Sequence, residues 1–308
     1  MKILAFFIVL ILGSQALLAN CEADLATRRV EKPQLYIAEK DGHQTFILGT
    51  HHMGIALSAL PGFVSDAIDT SRVVFTESKE PATRIGKLWR GLRLIWKGIN
   101  KGPKLTSVLS PEALDFLKFR LQSQKLSDIS LIDRLSPAMA VLLAQFGDKK
   151  SEELKNMPSM DFEIEKRANE KGIKTAGLES FSVQLRAIES IASHKSLNET
   201  LLSMKALIQA EKENELLEIY MSGDEQAVRA RTETAYASSP EWFQKSVFDR
   251  NIAWIPVIEK YHRRHSRQFI AMGAMHLWGD QGVIPLLRQR GYSVKQVTSL
   301  EEYEALNR

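Results

Sequence analysis

The 308-residue sequence predicts an α/β fold, a central, mostly parallel sheet with flanking helices and a large helical insertion. Three observations carry this expectation. Strand-like runs cluster toward the two ends of the chain, and helical runs fill the middle. Two Gly-x-x-His segments, Gly49–His52 and Gly273–His276, each follow a strand-like run and lead into a helix-like one. The composition is that of an ordinary globular protein, 44% hydrophobic and 25% charged, enough for a sizeable core. A formal charge of +4, with no nucleic-acid motif beside it, gives no case for a nucleic-acid partner.

The first element is read as a targeting segment. Met1-Lys2 supplies a positive charge, Ile3 to Leu12 is an unbroken apolar run, and Gly13-Ser14-Gln15 ends it. This is the layout of a secretory signal peptide over residues 1–23, too short for a comfortable membrane span. Cleavage after Ala23 or after Ala19 fits the small residues there. Leu18-Ala19-Asn20-Cys21 is also similar to a lipid-anchoring signal, but Asn20 stands where a small residue is wanted, so soluble export, periplasmic or secreted, is the expectation. Cys21 is the only cysteine, which excludes an internal disulfide and, after cleavage at Ala23, a thiol enzyme. Residues 24–308 are expected to form a single α/β domain with a helical insertion around 81–260.

The strand candidates follow in order: Thr45–Leu48, Val73–Thr76, Ile173–Ala176, Gln268–Met272 and Tyr292–Val297, each short, mostly β-branched or aromatic, and bounded by turn residues. Ser110-Pro111-Glu112 is a helix start, with a serine cap and proline at the first helical position. Ser136-Pro137 and Ser239-Pro240-Glu241 repeat it. Ser159 caps a predicted helix from Met160 to Lys171, closed by Gly172. The segment Leu197–Tyr220 has helical periodicity with a strongly charged face, which predicts one exposed helix.

The two Gly-x-x-His segments sit in matching contexts. Phe46-Ile-Leu-Gly-Thr-His-His-Met-Gly54 aligns with Phe269-Ile-Ala-Met-Gly-Ala-Met-His-Leu-Trp-Gly279, and each half reads strand, turn, helix, strand. In open α/β sheets ligands gather outside the carboxyl ends of the strands. Two neutral imidazoles with one carboxylate make an open metal site that leaves a position for water. The carboxylates that end strands are Glu77, closing Val73–Glu77, and Glu179, closing Thr175–Glu179. Either suits a ligand or a general base. Arg250, opening an apolar helix, suits stabilisation of an anionic intermediate. One such histidine alone is more often structural; the pairing is what raises the metal reading. His51 and His52, adjacent on an extended strand, point to opposite faces, so only one enters a site.

On these residues the chain resembles the TraB/GumN family, to which the Tiki metalloproteases are related. Leu48-Gly-Thr-His-His-Met-Gly54 is similar to its opening motif, and Val73–Glu77 to the strand that follows. Met160-Asp161, Lys174–Glu179 and Gln184 match a middle block. Gly223-Asp224 and Arg250-Asn251-x-x-Trp254 match later helices. Gly273–Gly279, Gly282 and Gly291–Val294 match the close. The resemblance spans roughly residues 35 to 298 and implies an α/β core shared with erythromycin-esterase-like and ChaN-like proteins. It also implies divalent-metal-dependent proteolysis, with His52, His276 and Glu77 in the site as metal ligands and Arg250 in support, while Glu179 remains a catalytic candidate from its place at a strand end. The metal would be manganese, cobalt or zinc, and the substrate a peptide or protein. The sequence departs from the family at His51, where an apolar residue is usual.

Between Pro81 and Pro111 there is no acidic residue, while Arg84, Lys87, Arg90, Arg93, Lys97, Lys101 and Lys104 are basic. Apolar residues, Trp89 and Trp96 among them, recur at helical spacing over residues 84–101, which suits peripheral contact with an anionic membrane. The competing reading packs the apolar stripe on the core and leaves the basic face in water. Three functions stand open: a metal-dependent hydrolase, a non-catalytic envelope protein that binds haem or metal, and a metal-independent esterase-like hydrolase with His52 as base.

Overall fold

The computed structural model describes residues 29–51, 55–79, 84–145, 147, 159–210, 215–238 and 240–306. The chain begins with β1 (Leu35–Lys40), β2 (His43–Thr50), helix α1 (Gly62–Asp69) and β3 (Val73–Ser78). A helical run follows: α2 (Arg84–Gly98), α3 (Leu105–Val108), α4 (Pro111–Gln122), α5 (Ile129–Ile132), α6 (Pro137–Gln145) and α7 (Met160–Glu170). After β4 (Lys174–Glu179) come α8 (Phe181–Ile191), α9 (Leu197–Ala210), α10 (Glu215–Ser222), α11 (Glu225–Ser238), α12 (Pro240–Phe243) and α13 (Asp249–His262). The chain closes with β5 (Arg267–Gly273), α14 (Val283–Gln289), β6 (Ser293–Gln296) and α15 (Leu300–Ala305). The described residues divide into two compact units, one within 80–157 and 185–212, the other within 22–79, 158–184 and 213–308.

The second unit holds a six-stranded sheet in the order β4-β3-β5-β2-β1-β6. β4, β3, β5 and β2 run parallel; β1 is antiparallel to both β2 and β6, so β1 alone is reversed. Period-two alternation gives the sheet two apolar faces. Leu35, Ile37, Phe46, Leu48, Val74, Phe269 and Ala271 pack with α1, α7 and Tyr303. Tyr36, Ala38, Ile47, Val73, Phe75, Ile270 and Met272 pack with α13, α14 and Trp278. A sheet covered on both faces needs near-continuous apolar strands, which is why these runs stood out in the sequence.

All five predicted strands are present. β1 is an addition, and its signal lies in the chain: Lys40-Asp-Gly-His43 is a two-residue hairpin with φ of 51° at Asp41 and 77° at Gly42. Asp-Gly is the pair that accepts two positive φ values most readily. The capped helices fall where expected: Ser110 and Ser159 accept from Ala113 N and Phe162 N, and the Ser136 hydroxyl from Met139 N. Ser239 lies outside the described residues, and α12 begins after it. Gly172, at φ 69°, closes α7 as predicted, its N–H bonding Asn169 O while Ile173 N–H bonds Ala168 O.

One helix expectation is corrected. The described parts of Leu197–Tyr220 are helical as expected, α9 and the first part of α10, with residues 211–214 outside those described, but the segment is not an exposed helix. Leu197, Leu201 and Tyr220 are buried. Of the charged residues, Glu199 and Glu218 are exposed, but the apolar stripe of the segment is core, so charge in the sequence alone misjudged its burial.

In the first unit the described helices α3 to α6 and α9 surround their own core, built on Leu105, Leu117, Leu121, Ile132, Met139 and Leu143 with Leu197 and Leu201. Among the described residues no helix is long and apolar enough to cross a membrane. The signal-peptide reading of residues 1–23 lies outside the described residues.

Candidate active site at the carboxyl ends of the parallel strands

β2 and β5 are neighbours in the sheet, paired in register from Gln44↔Arg267 to Thr50↔Gly273. The chain therefore leaves the two Gly-x-x-His strands side by side, as their matching contexts suggest. His52 itself, with Met53 and Gly54, lies outside the described residues. Gly49 is not at a turn but within β2. A Cβ there would meet Leu277 Cδ1 at 2.6 Å and Ala274 Cα at 3.2 Å, so the glycine lets the turn after β5 lie close against β2.

The other four predicted residues come together. Alternation along β3 puts Glu77 on the same face as Val73 and Phe75, toward α13. β4 ends at Glu179, and the β3–β4 ladder places Ser78 opposite it. From α13, Arg250 reaches both carboxylates: Nη2 donates to Glu77 Oε2 at 2.5 Å and to Glu179 Oε1 at 2.7 Å, and Nε donates to Glu179 Oε1 at 3.1 Å. Its Nη1 donates to Ser246 O at 2.9 Å. Ser246 lies in a π-helical turn, Gln244–Phe248, just before α13, a distortion found often at functional sites. The three side chains are 11%, 7% and 5% exposed for Arg250, Glu77 and Glu179. Burial alone would push the guanidinium's pKa down, but the charge of Glu77 and the bonds to Glu179 raise it above the ordinary value.

His276 ends the short 3₁₀ turn Ala274–His276 after β5 and is buried. Its Nδ1 lies 2.6 Å from Asn251 Oδ1. The amide of Asn251 is oriented by two acceptors, its Nδ2 donating to His276 O at 3.1 Å and to Gln281 O at 2.8 Å. Oδ1 must then accept, so the neutral imidazole carries its proton on Nδ1 and its lone pair on Nε2. Nε2 stands 3.6 Å from Glu77 Oε1 and 3.4 Å from Arg250 Nη1. Glu77 Oε1 also accepts from Gly273 N at 2.9 Å, which ties β3 to the exit of β5. Trp254 walls the cluster, its Nε1 donating to Glu179 Oε2 at 3.1 Å and its ring 4.6 Å from that of His276.

Asn251 and Trp254 drew no chemical role from the sequence beyond their place in a family block. Their spacing was the available signal: positions 250, 251 and 254 share one helix face. A further polar row lies on the sheet's other face. Thr50 donates to Asp161 at 3.0 Å, Thr76 donates to Glu165, and buried Tyr220 donates to Gly49 O at 2.8 Å. The ring of His51 lies edge-on to Tyr220, with centroids 5.7 Å apart. Burial raises the Tyr220 pKa, so the phenol remains a donor.

The carboxylate–guanidinium–imidazole cluster thus stands at the carboxyl ends of a mostly parallel sheet, where ligands gather in open α/β folds. The model of the TraB/PrgY/gumN family matches residues 34–296, and the chain belongs to that family. A search of curated proteins found no match.

Proposed function

We propose that this chain is an exported, metal-dependent hydrolase that acts on peptides. The observation that carries the reading is the placement of His276: Nδ1 lies 2.6 Å from Asn251 Oδ1, which assigns the neutral ring's proton to Nδ1 and turns the Nε2 lone pair toward Arg250 Nη1 and Glu77. Metal-ligating histidines donate their other ring N–H to an oxygen acceptor that fixes the ring, and the amide oxygen of Asn251 takes that place here. That donor chemistry fits a divalent ion such as Mn²⁺, Co²⁺ or Zn²⁺, held by His276 and Glu77. Among the described residues no group of three or more His, Cys, Asp or Glu is placed to hold one, and His52 of the first motif is the proposed third ligand. When bound, such an ion supplies an acidified water and polarises the carbonyl to be attacked.

The chain's own groups divide the remaining work. With Glu77 as ligand, Glu179 is the carboxylate left to accept the proton of the attacking water. Arg250 offers a fixed positive charge where the carbonyl oxygen becomes anionic. Glu179 and Ser246 O hold that guanidinium in place, and Trp254 walls the site. The export part of the reading rests on the apolar leader of residues 1–23.

The test is cleavage of a peptide panel by the purified mature chain with each of the three metals added. Activity lost on chelation, and lost in both His52→Ala and His276→Ala, supports the reading; full activity in both variants would sink it. One observation favours a second reading, hydrolysis without metal. All four carboxylate oxygens of Glu77 and Glu179 already accept hydrogen bonds, from Gly273, Arg250 and Trp254. Chelator-resistant turnover would select it.

A further inference from the structure

Helix α2 divides its surface into two apolar faces. Gly91 and Gly98 are buried, and Leu94 and Ile95 pack against the core of the helical unit. The chain just after them is tied down, with Ser136 N donating to Gly98 O at 2.7 Å and Asn100 N to Arg134 O at 2.8 Å. The two glycines, seven residues apart, lie on this inward side. Leu88, Trp89, Leu92, Trp96 and Ile99 are on the other side, each between 46% and 68% exposed. At 100° per residue the four that belong to α2, Leu88, Trp89, Leu92 and Trp96, fall within a sector roughly 100° wide, and Ile99 follows the helix end. An outward apolar stripe of that width has no use in water alone.

We propose that this outward face docks on an anionic lipid surface. Charge is what selects the partner. No acidic residue occurs between Pro81 and Pro111, and seven basic residues do. Arg93 and Lys101 are exposed, and Lys101 Nζ lies 3.2 Å over the ring of Trp96. Lys97 pairs its charge with Glu189 at 2.9 Å. Basic residues beside the stripe approach phosphate headgroups while leucine, isoleucine and tryptophan enter the headgroup–acyl boundary, where tryptophan is favoured. A second copy is a poor occupant, because like-charged faces would meet. At 15 residues the helix is about 22 Å long, a length that lies in the interface and does not span. The inference is independent of the chemistry proposed for the strand ends.

The experiment is co-sedimentation of the full mature chain with vesicles of phosphatidylcholine alone and with about a third phosphatidylglycerol. Binding to the anionic vesicles only, weakened by salt and accompanied by a blue shift of tryptophan emission, is the expected result. Trp89→Ser with Trp96→Ser, and separately Arg93→Glu with Lys101→Glu, should each reduce partitioning by about tenfold or more. All four positions are exposed, so both variants should keep the wild-type circular dichroism and thermal transition. No binding by wild type, or equal binding by both folded variants, overturns the proposal. So does concentration-dependent dimerisation that the tryptophan variant abolishes without any vesicle binding.

Discussion

Nδ1 of His276 and Oδ1 of Asn251, 25 positions apart in sequence, meet at 2.6 Å in the interior. The contact decides which imidazole nitrogen faces Glu77. In Asn251→Ala the ring N–H and two carbonyls, His276 O and Gln281 O, lose their partner. The expected cost is about 1–3 kcal/mol of stability. Metal affinity, or activity if metal is required, should fall about 10–100-fold, because the ring no longer has a fixed tautomer. Urea unfolding and a Mn²⁺ or Zn²⁺ titration of the same sample measure the two effects. A folded variant that binds metal as well as wild type would show that the amide is structural only.

Arg250 is the sole cation bonded to both Glu77 and Glu179 among the described contacts. Arg250→Ala removes the cation that two buried carboxylates share, and removing one partner of a buried ion pair costs about 3–5 kcal/mol. Much of that loss is the uncompensated charge. Adding Glu179→Gln to Arg250→Ala should therefore recover part of the stability while leaving activity low. Denaturant midpoints of the single and double variants check this, and an additive double variant would contradict the shared-charge account.

How far the sequence reveals such a site depends on how local the signal is. Glu77 and Glu179 were legible because each ends a strand, and strand ends gather in this class of sheet. Arg250 was legible from its block, but its bond to Glu77 joins residues 173 positions apart, which no periodicity encodes. Asn251 was harder still, since its role is to orient another side chain. β1 was missed although Asp41-Gly42 announces its hairpin, because Leu35–Lys40 carries a charged end that blurs the strand pattern. On α2 the apolar periodicity was plain, but not its division between an inward glycine-containing face and an exposed tryptophan face. Glycine has no hydropathy signal, so composition cannot tell which stripe packs inward.

His262 gives a pH prediction far from the strand ends. It is buried, its Nε2 donating to Lys40 O at 3.0 Å while Nδ1 accepts from Thr45 Oγ1 at 2.8 Å. Burial pushes its pKa below the ordinary value, and the neighbouring His43 and Lys40 add to this against the opposing influence of the Lys40 carbonyl and Asp41. The folded state therefore holds the ring neutral where the unfolded chain binds a proton. Stability from this group is full above the unfolded pKa, about 6.5, and is lost as pH falls from there toward the lowered folded value. Unfolding free energy measured between pH 7.5 and 5 should drop, and His262→Gln should flatten that part of the slope. An identical slope in the variant would assign it to other groups.

Gly49→Ala tests why the first motif needs its glycine. If the glycine served only a turn, alanine at this extended position inside β2 would be tolerated. The packing says otherwise. The added Cβ would lie 2.6 Å from Leu277 Cδ1, which can rotate, but also 3.2 Å from Ala274 Cα, which is backbone of the turn that carries His276. Relief requires that turn to move away from β2, and Gly273 N, bonded to Glu77 Oε1 at 2.9 Å, would be drawn with it. The expected cost is about 1–3 kcal/mol, as for other overpacked sites. Activity should fall further than stability alone explains, because His276 and Glu77 lose their register. Comparing activity at a temperature where wild type and variant are both fully folded separates the two effects. Wild-type activity there would mean that the turn absorbs the methyl group without disturbing the histidine.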